Sequence, residues 1–71
     1  MGRVFTKEEL KDKNIYLQGS KETPDAIELL EDRIVVRKGD EVFEIPSNTL
    51  RAKALIDRLN YKGEHTQEIY I

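Results

Sequence analysis

From Arg33 to Pro46 the chain reads as two short runs rich in β-branched and apolar residues, separated by Gly39-Asp40. A two-residue type II′ loop, in which glycine supplies the positive φ at the first central position, fixes how the runs pair. Val36 then opposes Phe43 and Ile34 opposes Ile45, with all four on one face. Arg33, Val35 and Arg37 share the other face with Val42 and Glu44. A slip of one residue would scatter the apolar set over both faces, so a buried side selects this register. Pro46 has no amide to donate and ends the second strand.

Beyond Pro46 the period lengthens to that of a helix. Ala52, Leu55, Ile56 and Leu59 form an apolar stripe, which Leu50 and Ala54 widen near its start. Ser47 or Asn48 is the expected cap of a helix over about residues 48–60. Arg51, Lys53, Asp57 and Arg58 take its flanks. Upstream, Thr6-Lys7-Glu8-Glu9 is a capping box, and Phe5 and Leu10 occupy the two positions of a hydrophobic staple. A short helix over about residues 7–13 follows, ended by Asn14. Ile15-Tyr16-Leu17 alternates as a strand, with Tyr16 turned away from the other two. Residues 19–25 are turn-forming and charged, and read as a loop. Residues 24–31 fit either a helical turn capped by Thr23-Pro24 or a strand turning through Glu31-Asp32. The β pattern downstream favours the strand. A final strand is expected over residues 67–71, with Ile69 and Ile71 inward. The expectation is an α+β fold in a single domain, 1–71. Its sheet is three- to five-stranded and mainly antiparallel, with the main helix across one face and the short N-terminal helix beside it.

Composition narrows the chemistry. In 71 residues there is no cysteine and one histidine, so disulfides are impossible and a structural zinc site lacks its usual ligands. Fourteen acidic residues nearly balance twelve basic ones, for a net charge of −2. Nucleic-acid binders draw most of their affinity from a basic excess, which this chain does not have. Met1-Gly2-Arg3-Val4-Phe5-Thr6 fits the myristoylation template, but capping accounts for Thr6. No apolar run reaches the length of a membrane span and no signal-peptide core is visible, so a cytoplasmic location without membrane contact is expected.

Catalytic candidates are few. His65, set among Gly63, Glu64 and Thr66, could act as a base with Glu68, but reads better as a solvated loop residue. Glu28, Glu31 and Asp32 would need a cleft that a short chain rarely provides for paired-carboxylate catalysis. The glycines are isolated and build no phosphate loop. The expectation is therefore no enzyme activity, no catalytic residue, no metal, no cofactor and no small-molecule substrate. Two binding surfaces stand out. Val35 and Val42 fall on what should be a wet hairpin face, flanked by Arg33, Arg37 and Glu44. With Tyr16, these make a candidate protein-binding surface rich in interface residue types. The alternative is nucleic-acid binding through Arg51, Lys53 and Arg58 on the main helix, and a third reading is a homo-oligomer that closes the second sheet face. In size and element order the chain is similar to many small proteins of bacteriophages and mobile elements, anti-CRISPR inhibitors among them. That resemblance implies a regulator or inhibitor that occupies a protein partner, and assigns no residue.

Overall fold

The computed structural model describes residues 2–61 and 67–71. His65 and its neighbours at 62–66 lie outside the described residues. Eight elements follow in order: β1 (Arg3–Thr6), α1 (Lys7–Asp12), β2 (Ile15–Tyr16), β3 (Ala26–Leu29), β4 (Arg33–Lys38), β5 (Glu41–Pro46), α2 (Leu50–Asn60) and β6 (Ile69–Tyr70). Strands β1, β3, β4 and β5 form an antiparallel sheet in the order β1-β3-β4-β5, while β2 and β6 pair in parallel as a separate two-stranded ladder. The fold is α+β, with α2 as its main helix.

The β4–β5 hairpin has the register its apolar residues require: Val36 faces Phe43 and Ile34 faces Ile45. Gly39 sits at φ +59 and Asp40 is not among the residues with positive φ, as the type II′ loop demands. Residues 24–31 resolve to strand β3, joined to β4 through Glu31-Asp32, where the Leu30 amide donates to the Arg33 carbonyl at 2.9 Å.

Register sorts the side chains onto two faces. Phe5, Ile27, Ile34, Val36 and Ile45 point inward, where Leu10, Ile15, Ala52, Leu55, Leu59 and Ile71 complete the core. The capping box at Thr6 and Glu9 is formed, and Asn14 takes the left-handed conformation (φ 54) that stops α1. Phe5 and Leu10 are both buried, so the short α1 is held by packing as well as by its cap.

Several expectations need correcting. The cap of α2 is Thr49, whose hydroxyl accepts from the Ala52 amide at 3.2 Å, rather than Ser47 or Asn48. Ser47 instead donates its amide to Asp32 and so braces the β3–β4 turn. The stripe that α2 buries is Ala52, Leu55 and Leu59, and Leu50 and Ala54 fall outside it in solvent, Leu50 at 84% exposed. Phe43 is 37% exposed although it lies on the inner face, because it sits over a groove bounded by Leu17 and Ile71 rather than under α2. Strand β1, unanticipated from the sequence, pairs Val4 with Glu28 and Phe5 with Ile27. No helix among the described residues is long and apolar enough to cross a membrane.

Candidate functional site

Arg33, Val35, Arg37, Val42 and Glu44 do share one face of the sheet, as the hairpin register dictates. Strands β1 and β3 extend that face with Val4, Thr6, Ala26 and Glu28. Its central row runs Val4, Glu28, Val35, Glu44 across the four strands. Every core residue outside the sheet belongs to α1, β2, α2 or the β6 end, and these pack on the inner face. The outer face is covered by no described element.

Val35 departs from expectation. It is buried, at 5% exposed, although it is not part of the core cluster. Its neighbours on the face explain this: Glu28 and Glu44 stand directly opposite it, and Arg33 and Arg37 lie two residues away along its own strand. The four charges join diagonally in pairs. Arg33 Nε donates to Glu44 Oε2 at 3.0 Å, and Arg37 Nη2 lies 3.8 Å from Glu28 Oε1. Their aliphatic stems thus roof the valine while the charged ends stay wet. Asp32, at 2.9 Å, and then Glu44 push the Arg33 guanidinium above its ordinary pKa. Ion pairs this exposed are screened by solvent and add little stability. The apolar surface actually offered is Val4, 61% exposed, and Val42, 53% exposed, on the two opposite edge strands.

Tyr16 does not belong to this face. It pairs with Tyr70 in the β2–β6 ladder, the ring centroids 5.9 Å apart. It also lines a cleft with Lys38, which by register points to the same side as Ile34 and Val36. Tyr16 and Val35 are therefore on opposite sides of the sheet. Burial, then a hydrogen bond to Glu68, pushes the Tyr70 hydroxyl above its usual pKa.

The helix candidate is also divided. Arg51 and Lys53 are exposed, but Arg58 Nη1 donates to the Lys13 carbonyl at 3.0 Å and to the Gln67 carbonyl at 2.7 Å. Arg58 thereby ties α2 to the end of α1 and to the C-terminal segment. A guanidinium held by two backbone carbonyls is a structural clamp, and the proposed basic face loses one of its three members.

Two features escaped sequence reasoning. Val4 joins the outer face only through β1, which is too short and too close to a helix cap to show a strand period. The second feature is the Tyr16 cleft, which draws four lysines from three separate segments: Lys7 and Lys11 on α1, Lys21 in the loop and Lys38 on β4. Only the spacing of Lys7 and Lys11 was readable, as like charges on one helical face, an arrangement that destabilises an isolated helix. Beside the cleft, Asp25 accepts from the Gly39 amide at 2.7 Å and lies 3.8 Å from Lys7 and 4.0 Å from Lys38. The Gly39 hydrogen bond, more than the lysines, holds the Asp25 carboxyl below its usual pKa. No group of potential metal ligands occurs among the described residues.

No protein-family model, curated protein or solved structure matches the chain.

Proposed function

We propose that the chain is a small non-enzymatic protein-binding module, a regulator or inhibitor that acts by occupying a protein partner with the outer face of its sheet. The observation that carries this reading is an antiparallel sheet that the described elements cover on one side only, with Val4 and Val42 exposed on the other. Two arginines and two glutamates lie between them. A face with equal numbers of positive and negative groups suits another protein surface better than a phosphate backbone. The edge of the sheet adds to it. In the β4–β5 register the loop-closing pair is Lys38–Glu41, so the backbone groups of Val42 and Glu44 point away from β4. They are open to an added strand, up to Pro46, whose carbonyl is taken by Thr49.

The test is affinity capture with the wild-type chain, an outer-face variant (Arg37→Glu with Val42→Ser) and a helix-face control (Leu50→Ser with Lys53→Glu). The expected result is one partner retained by wild type and control and lost by the outer-face variant. Retention by the outer-face variant overturns the proposal. Sedimentation at rising concentration distinguishes a second copy as the partner: self-association that the same variant abolishes would make the outer face a homo-oligomer interface.

A further inference from the structure

We propose that the cleft between α1, the loop at 18–25 and the end of β4 binds a small phosphate-bearing molecule of about nucleotide size. The cleft has a volume of about 410 Å³, and Lys7, Lys11, Lys21 and Lys38 line it together with Tyr16 and Thr23. That size lies within the roughly 300–1,000 Å³ range of small-molecule sites.

Charge is the first support. Lys38 is paired with Glu22, which also lines the cleft, and Lys7 and Lys38 share Asp25, all at 3.8–4.0 Å. Lys11 and Lys21 have no carboxylate partner among the described residues. Two ammonium groups are thus left uncompensated at one spot of a chain whose net charge is −2. The second support is independent of charge. Thr23 is buried at 5% exposed, yet its hydroxyl has no hydrogen-bond partner among the described residues. Buried hydroxyls are normally paired, and Thr23 is among the residues that line the cationic cleft.

The chemistry of the lining selects the ligand. Ammonium groups bind phosphate as point charges, and a phosphate carrying more than one negative charge can engage several of the four lysines that line the cleft at once, where a carboxylate carries a single charge. A nucleic-acid strand would need the cationic track to continue. Instead the adjoining groove, which shares Glu22 and Lys38, is lined by Asp40 and Glu41. The positive region ends there, so the site accommodates a compact phosphate group rather than a backbone. Tyr16, whose ring packs at a tilt against Tyr70, gives the cleft an aromatic side against which the remainder of such a molecule can lie.

The site lies on the opposite side of the sheet from Val35 and Val42, so it stands or falls separately from the protein-binding reading. The experiment is titration of the full chain with pyrophosphate and with ATP at constant ionic strength, followed by amide chemical shifts and thermal unfolding. Saturable shifts centred on Lys11, Lys21 and Thr23, with a rise in Tm, are expected. Lys11→Glu with Lys21→Glu should weaken binding about tenfold or more, while Arg51→Glu with Lys53→Glu leaves it unchanged. Thr23→Val separates ligand binding from structure: removing an unpaired buried hydroxyl should keep or raise the Tm of the free protein while lowering pyrophosphate affinity several-fold. Absence of saturable binding of either probe at millimolar concentration overturns the proposal, as does equal weakening by the Arg51/Lys53 variant. Tighter binding of a single-stranded oligonucleotide, strengthening with its length, would overturn it in favour of nucleic acid.

Discussion

Val35 and Val36 are consecutive residues of the central strand β4, both buried, for opposite reasons. Val36 is sealed by the core beneath α2, while Val35 is sealed by four charged side chains that lean over it from its own face. The inner seal is close-packed and shared by several elements, so removing atoms leaves a cavity that cannot relax. The outer seal is made of flexible stems that can close over a smaller residue or be displaced by a partner. Low exposure alone therefore does not distinguish a core from a surface waiting to be covered. What lies above the residue does.

The largest expected contrast is between the two valines. Val36→Ala should cost about 2–3 kcal/mol and Val35→Ala about 1 kcal/mol in chemical denaturation, since only the first leaves an unfilled cavity. Equal costs would mean the outer face is packed as tightly as the inner. Next comes the inner layer's own fastening. Arg58→Ala should cost about 1–2 kcal/mol, from two charged hydrogen bonds that are partly exposed. Arg58→Lys should recover little of it, because an ammonium cannot span both carbonyls. Faster hydrogen exchange at the Ile69 and Ile71 amides, which donate to Asn14 and Tyr16, should accompany the loss. The start of the covering helix gives a smaller effect: Thr49→Ala should cost about 1 kcal/mol, and Asn48→Ala less than about 0.5 kcal/mol.

The smallest effect concerns the hairpin tip, which belongs to neither face. Asp25 titrates below its usual pKa when folded, so its contribution is fully present above the unfolded value, about pH 4, and is lost as pH falls through the folded value. Wild type should therefore exceed Asp25→Asn in stability at neutral pH, with the difference vanishing in strong acid. A gap independent of pH would remove the Gly39 hydrogen bond as its cause.

Local rules made much of this fold legible before any tertiary information. Gly39-Asp40 and the four apolar residues around it specify one register, and the capping box at Thr6 specifies one helix start. Ala52, Leu55 and Leu59 specify one buried stripe. Each depends on residues close together in the chain, where the period of the backbone decides which side chains share a face. The outer-face candidates Arg33, Val35, Arg37, Val42 and Glu44 were placed together for the same reason.

What needed the tertiary structure was everything set by approach between distant segments. The sequence could place Tyr16 opposite Ile15 but not say which side of the sheet it would reach, because β2 pairs with β6 and not with the hairpin. It could align Arg58 with Arg51 but not foresee that carbonyls from Lys13 and Gln67 would take Arg58 up. The same holds for the lysine cleft, where Lys11, Lys21 and Lys38 meet only because α1, the loop and β4 fold against one another. Sequence periodicity fixes faces within an element, whereas long-range packing decides which faces are covered and which charges are left without a partner.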